Sequence, residues 1–201
     1  MLAKLPNWYA PAIEFAWRTG WRVGEVKSRT WGQIDWKAGT VRLEVGTTKN
    51  REGRVFPFAA SPSLAVLLRE QRDRTDAYQR EHGQIVRWVF WRVGKKLADL
   101  RGTWNTACKR AGLPGKLVHD LRRTAVRNLE RANVSRSVAV ELTGHKTEAV
   151  YRRYAIVAEA NLFETVRRLE SGTKFEIGPQ SGTEPVQGAT KAETGNAENS
   201  L

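Results

Sequence analysis

Two tyrosines three residues apart, Tyr151 and Tyr154, sit among arginines just after a Gly144-His145 step, in "TGHKTEAVYRRY". A tyrosine hydroxyl ionises near pH 10 and is a poor nucleophile at neutral pH unless cations stabilise its phenolate. Metal-free opening of a phosphate ester needs such a nucleophile, cations on the non-bridging oxygens and an acid for the leaving oxygen. Arginine suits the second role, because its planar fork matches phosphate oxygens in pairs. Candidates for each role lie at separated places. Arg22, in "TGWRVGEV", follows a helix-stopping glycine and starts a predicted helix, where a cation opposes the helix dipole. Lys49, in "TTKNREGR", falls in a predicted hairpin turn, from which a long side chain reaches outward. In "HDLRRTAVRNL", His119 opens a predicted helix, Arg122 follows one turn on along the same face, and Arg123 and Arg127 make a second basic row. His145 stands at a predicted tight turn. As i and i+3, Tyr151 and Tyr154 face one way on a helix, and periodicity does not choose between them. Taken singly, each segment also has a plain reading as a solvated basic surface or a solubility device.

These residues require elements to hold them. Pro11 at a first helical position and a stop at Gly20 predict a short helix over residues 11–18, with a second helix from Val23. The alternation of Val41, Leu43 and Val45 predicts a strand over 40–45, and "VFPF" (55–58) a returning strand. Ser61 and Pro62 predict a helix to about Arg72, and "WVFWRV" (88–93) a short strand. Helices follow over 97–110 and 119–132, then one capped by Ser135 and a short one from near Thr147, with Tyr154 in it or just beyond. A last amphipathic helix places Leu162, Phe163, Val166 and Leu169 on one side. The fold class is mainly α with a small antiparallel β-sheet.

The chain has 201 residues, enough for one ordinary domain, with 34 Lys+Arg against 21 Asp+Glu and a formal charge of +13. Such an imbalance implies a polyanionic partner, nucleic acid ahead of a membrane surface. Residues 171–201 are nearly free of large apolar side chains and are expected to be a disordered tail. That tail holds two lysines and four glutamates, so residues 1–170 are more basic than the average implies. No apolar run is long enough to span a bilayer, and the N-terminus lacks the apolar stretch of a signal peptide. A single cysteine, Cys108, excludes an intramolecular disulfide and a Cys-rich zinc site, and a cytoplasmic location is expected. His119 and His145 have no third His or Cys near them in sequence, so no metal site is expected.

Taken together, the segments resemble the tyrosine recombinases, the phage-integrase family of site-specific DNA recombinases, from about Ala10 to Leu169. "TGWRVGEV" looks like the family's TGxRxxE box, which implies Arg22 as the first catalytic arginine and Glu25 as its acidic support. "TTKNREGRVFPF" looks like the hairpin carrying the catalytic lysine, Lys49. "HDLRRT" looks like the HxxR box, giving His119 and Arg122, and "TGHKT" the step that gives His145. The family's nucleophile usually comes nine residues after that histidine, at Tyr154. The resemblance implies a 3′-phosphotyrosyl intermediate, with Arg22 and Arg122 on the phosphate, Lys49 as acid to the 5′-oxygen, His119 as base and His145 bonded to a non-bridging oxygen. It implies neither ATP nor any other cofactor. Double-stranded DNA is the expected partner, with Arg123, Arg127, Arg152 and Arg153 at its backbone. A homotetramer on DNA and a monomer when free are expected. Three positions depart from the pattern. Lys27 and Arg29 stand where the family usually has core-facing apolar residues, which implies a rotated or exposed helix, or looser packing. Thr143 replaces the usual leucine before Gly-His, read as a mild change. Residues 1–170 are expected to be the catalytic domain without the family's N-terminal core-binding domain, hence weaker DNA binding; the alternative is an integrase remnant that binds DNA without productive catalysis.

Overall fold

Pro11 and Gly20 bracket the first helix in a computed structural model of the chain, which describes residues 1–44, 53–154, 166, 167 and 170. Helix α1 (Ala10–Thr19) buries Ala12, Ile13, Phe15 and Ala16, and Gly20, at φ +69°, ends it by donating its N–H to Ala16 O. Only glycine serves there: a Cβ would come 3.0 Å from Thr143 Cγ2 and 3.1 Å from the Ala125 Cβ, in a conformation that side chains rarely adopt. The end of α1 therefore passes directly against two later helices.

Helix α2 (Val23–Lys27) follows, then strands β1 (Ile34–Asp35), β2 (Thr40–Leu43) and β3 (Arg54–Phe56) in one antiparallel sheet of order β1-β2-β3. The register pairs Val41 with Phe56 and Leu43 with Arg54. The returning strand starts earlier than expected and stops before Pro57, which has no N–H for the ladder; Phe58–Ala60 then form a 3-10 turn. Val45 and the hairpin turn with Lys49 lie outside the described residues.

Helix α3 (Pro62–His82) runs ten residues past the expected end at Arg72. The apolar stripe fades after Leu68, but buried polar residues continue the same face. Gln71 Nε2 donates to Val89 O at 2.8 Å, and the Trp91 indole N–H donates to Thr75 Oγ1 at 2.8 Å. Gly83, at φ +62°, ends the helix. The expected strand over 88–93 is shorter: β4 (Trp91–Arg92) pairs with β5 (Lys95–Lys96) across a tight turn at Val93-Gly94, and Trp88 makes only a bridge to Thr30.

Helices α4 (Arg101–Arg110), α5 (Asp120–Arg131), α6 (Arg136–Thr143) and α7 (Glu148–Arg152) complete the described fold. Helix α4 starts four residues later than expected. Ser135 occupies the cap position of α6, yet its hydroxyl pairs with Ser137 Oγ and caps no backbone N–H. Thr147 does cap α7, accepting from the Val150 N–H. The chain divides into two compact units, Met1–Ala158 and Glu159–Leu201; in the second only Val166, Arg167 and Glu170 are described, helical and exposed. Leu162, Phe163, Leu169 and residues 171–201 lie outside the described residues. No described helix is long and apolar enough to cross a membrane.

The main core gathers Tyr9, Phe15, Trp21, Val41, Leu64, Leu68, Phe90 and Trp104 from α1, the sheet, α3 and α4. A smaller cluster holds Val126, Ala139 and Tyr151. Helix α5 joins the two, since Leu121 packs on the first and Val126 belongs to the second. Arg29, expected on a rotated or exposed helix or in looser packing, is buried in place. Its Nε donates to Glu25 O and its Nη1 to Arg42 O, both at 2.8 Å, and its guanidinium lies 5.8 Å from the Trp21 ring centroid. Backbone carbonyls thus receive a cation where the family usually packs an apolar residue, and burial holds its pKa down to about 10. Lys27 is half-buried.

Thr75→Val is expected to destabilise the fold by about 1–3 kcal/mol, because the buried Trp91 N–H loses its acceptor. A shift of the urea midpoint at unchanged slope measures it, and a neutral result removes that hydrogen bond from the account of the long α3.

Candidate active site

Arg22 stands in extended backbone (φ −65°, ψ 140°) immediately before α2. A cation there opposes the helix dipole, and Glu25 in the first turn offsets it. Glu25 Oε2 accepts the Arg22 backbone N–H at 2.9 Å, and Oε1 accepts Nη1 of the same arginine at 3.0 Å. Arg22 keeps a partly exposed side chain while Glu25 is buried.

His119 stands at the N-terminal end of α5 without a side-chain capping bond, and Arg122 lies three residues on. Arg122 is buried and donates Nη1 to Gly20 O and to Thr143 O, both at 2.6 Å, Nη2 to Gly144 O at 3.3 Å and Nε to His145 Nε2 at 3.2 Å. These bonds use four of the five N–H groups of a guanidinium and leave one without a partner among the described residues. The His119 Nε2 lies 3.0 Å from the Tyr154 hydroxyl, and the His145 ring lies 5.1 Å from the Tyr154 ring. Arg22, His119, Arg122, His145 and Tyr154 are thus brought into one cluster; Lys49 lies outside the described residues.

The two tyrosines separate. Tyr151 is fully buried beside Val126 and Ala139, and burial with the Glu130 carboxylate nearby pushes its phenol up. Tyr154, just past α7, reaches His119.

Sequence reasoning missed Arg54. This residue is buried on β3 and pairs with Glu25 Oε1 at 2.6 Å, donates Nη1 to Thr143 O, and stacks 5.1 Å over Trp21. A Cβ at Gly144 (φ +66°) would overlap its guanidinium, so Gly144 is needed both for the turn and for this close approach. The signal was present in the alternation: with Val41 and Leu43 facing inward, their partners Phe56 and Arg54 face inward too.

Burial first, then the guanidiniums of Arg122, Arg22 and Arg54, pushes His145 down to about 3. Burial, then Arg122 and Arg123, lowers His119. Both rings are neutral at pH 7, while Arg122 is held down to about 10 by burial and by Arg22. The arrangement is a cationic cluster with the Tyr154 hydroxyl and a neutral imidazole at its exposed edge. Among the described residues, no group of three or more His, Cys, Asp or Glu is placed to hold a metal.

The sequence pattern described as the phage integrase family matches residues 2–161. The chain belongs to this family. The integrase of Salmonella phage P22 is 28% identical over 173 residues, covering 79% of this chain and 42% of that protein. The prophage integrase IntF of Escherichia coli (strain K12) is 27% identical over 138 residues, 68% of this chain and 28% of its own. The chain therefore spans less than half the length of these family members. Among solved structures, the catalytic domain of bacteriophage HP1 integrase matches with a TM-score of 0.56 at 21% identity, covering 83% of this chain and 87% of that one. The XerH site-specific recombinase bound to its difH substrate matches with a TM-score of 0.59 at 17% identity, over 82% and 50%. These likenesses establish the family's catalytic-domain fold, mainly helical with small antiparallel sheets.

The family's remaining basic candidates lie on the surface. Arg127 and Arg153 are exposed, Arg123 pairs with Asp120 at 2.9 Å, and Arg152 pairs with Glu148 at 3.0 Å. Exposed pairs of this kind are worth only about 0.3–0.5 kcal/mol, so they release their arginines readily to another anion.

Two outcomes follow from this geometry. Arg54→Ala leaves the buried Glu25 without one of its two cations and is expected to cost about 3–5 kcal/mol in urea unfolding. Because folding depresses the His145 pKa, its contribution is complete above pH 6.5 and is lost as pH falls from there towards about 3. Within that window the unfolded chain takes up a proton that the folded one refuses, at about 1.4 kcal/mol per pH unit. His145→Gln is expected to flatten the stability–pH curve in that window; an unchanged slope would assign the acid sensitivity elsewhere.

Proposed function

We propose that this chain cleaves and rejoins DNA strands through a covalent link between Tyr154 and a 3′-phosphate, as a site-specific recombinase. The observation that carries the reading is the 3.0 Å contact of the Tyr154 hydroxyl with His119 Nε2, inside a cluster of arginines. Family membership supports it, as do the names of similar proteins: integrases by sequence, and recombinases in complex with their DNA by structure.

In this reading Tyr154 Oη attacks phosphorus as its proton passes to His119 Nε2, which is neutral and so able to receive it. The P–O5′ bond breaks, and the 5′-oxygen takes a proton from an acid; Lys49, outside the described residues, is the proposed donor. Arg22 and the free N–H of Arg122 stabilise the charge that builds on the non-bridging oxygens, where losing one such preorganised donor typically costs about 10²–10³ in rate. A 5′-hydroxyl reverses the step, so the ester conserves the bond and no ATP is consumed. Duplex DNA is the proposed substrate, with Arg123, Arg127, Arg152 and Arg153 on its phosphates, and the proposed assembly is a homotetramer on DNA.

Cleavage can be tested on DNA of random sequence. The chain is incubated with a randomised pool of duplexes nicked a few nucleotides 3′ of every candidate phosphate, so that the short 5′-hydroxyl fragment diffuses away and traps the adduct. Denaturing gels collect covalent protein–DNA species for sequencing. Wild-type chain is expected to form them, Tyr154→Phe to form none, and Tyr151→Phe to stay within about threefold of wild type, since its ring is buried against Val126 and Ala139 and it is Tyr154 that meets His119. Retention of DNA in native gels without any adduct would replace cleavage by binding alone, and an adduct formed by Tyr154→Phe would overturn the nucleophile.

A further inference from the structure

Lys27 stands where the family usually has an apolar residue, and the active-site cluster leaves it unused. It is the last residue of α2, which starts directly after Arg22, so about 7 Å of helix rise separates the two, the rise of about two base pairs. The chain leaving α2 runs beside the segment that enters β4. The Trp31 N–H donates to Arg87 O at 3.0 Å, the Val89 N–H donates to Arg29 O at 2.9 Å, and Trp88 bridges to Thr30. The half-buried Trp88 ring then carries a cation from each of two segments. The Arg87 guanidinium carbon lies 5.5 Å from its centroid, and Nζ of Lys96, on β5, lies 5.1 Å from it. Lys96 also faces Lys27: burial lowers the Lys27 pKa, Asp99 opposes that shift and Lys96 adds to it. Asp99 is paired with Arg101 at 2.7 Å, and among the described residues Lys27, Arg87, Lys95 and Lys96 form no ion pair. The hairpin beside them has two unfavourable local features. Arg92 stands directly opposite Lys95 in the register, and the β-branched Val93 holds φ +49° in an exposed turn. Neither feature helps the fold, and strain of this kind gathers where a surface binds something.

We propose that Lys27, Arg87, Lys95 and Lys96 form a second phosphate-binding surface, which holds the backbone of duplex DNA next to the segment in the active site. Trp88 is the platform that keeps two of these cations in place. The face of an indole attracts a cation but cancels none of its charge, so Arg87 and Lys96 are ordered while their charge stays available. Arg123 and Arg152 differ, since each must leave a carboxylate before it meets a phosphate. Contacts of this kind fix the register and strength of binding and read no bases, so they act alike on every sequence. The apolar residue usual at position 27 would end the cationic track at α2; Lys27 joins the Arg22 end of that helix to the hairpin. Anionic lipid headgroups carry the same charge, but the continuity of the track with Arg22 favours a duplex. The inference rests on duplex DNA as the substrate, and its test does not depend on cleavage.

The full chain is titrated onto a short labelled duplex of random sequence, and fluorescence anisotropy follows binding from about 50 to 200 mM salt. The slope of log affinity against log salt counts the phosphates neutralised, at about 0.9 for each. Lys27→Leu is expected to reduce that slope by about one, and the double variant Arg87→Gln with Lys96→Gln by about two. Lys37→Gln is the control: this exposed lysine lies in the turn between β1 and β2, at the opposite end of β2 from the Lys49 hairpin, and the slope is expected to stay as in the wild type. Thermal melts run alongside; should Lys27→Leu not fold, the double variant decides, because its side chains are exposed. An unchanged slope in the folded patch variants, or an equal fall in Lys37→Gln, overturns the proposal. Co-sedimentation with phosphatidylserine vesicles is measured on the same proteins. Vesicle binding that the double variant loses while its DNA slope is unchanged assigns the surface to a membrane and overturns it too. A DNA adduct formed with unchanged slopes sinks this surface and leaves cleavage standing; reduced slopes without any adduct do the reverse.

Discussion

Helix α6 ends at Thr143, and the carbonyl there receives Nη1 of both Arg122 and Arg54. The two arginines come from α5 and β3, 21 and 89 residues away in sequence. A helix C-terminus is the negative end of its dipole and carries carbonyls with no partner inside the helix, so it is a natural seat for cations. The seat exists only because the chain turns immediately: Gly144 adopts φ +66° and leaves room for the Arg54 guanidinium. His145, one residue on, is thereby delivered against Arg122. Remove the turn or the carbonyl and the strand, α5 and the His145 ring lose their common reference point.

The charges around this point do not balance. Among the described residues, Arg22 and Arg54 share the buried carboxylate of Glu25, whose Oε1 takes both. Among the described residues, Arg122 bonds no carboxylate and is held by neutral acceptors: three carbonyls and an imidazole nitrogen. Hydrogen bonds to carbonyls satisfy the geometry of a guanidinium without cancelling its charge. Arg29, nearby in the core, uses the same device with the carbonyls of Glu25 and Arg42. A carboxylate beside Arg122 would have made a tighter pair and a worse anion site, because the charge would already be answered.

Much of this was legible in the sequence, and for physical reasons. Glycine and proline fix backbone angles locally, so the ends of α1 at Pro11 and Gly20 could be read directly. The helical offset of three between His119 and Arg122 placed both at one end of α5. What escaped reading depends on contacts between distant segments. The extension of α3 past Arg72 rests on Gln71 and Thr75 meeting Val89 and Trp91, which no local periodicity announces. Arg29 read as a misfit because an arginine at a core position is costly unless carbonyls converge on it, and their convergence is tertiary. Thr143 read as a mild change because the contacts of its hydroxyl with Ala139 O and the His145 ring form only in the folded turn. Arg54 was concealed differently: its inward face followed from strand alternation, but its partners lie on α2 and α6.

Tyr154 shows how the remaining geometry is set. Tyr151 is driven into the small cluster with Val126 and Ala139, and that burial fixes the rotation of the one-turn helix α7. Its carbonyl then accepts the Tyr154 N–H at 2.9 Å, and the second tyrosine, half-buried at the edge of the same cluster, turns its hydroxyl to His119. Two tyrosines of equal chemistry thus acquire opposite environments through one apolar contact. The buried phenol is pushed up and out of use, while the other faces a neutral imidazole within a field of guanidiniums. Burial and then the neighbouring Arg22 both hold Arg122 below its usual value. Charge stabilisation that is already built into the fold requires no reorganisation when charge develops.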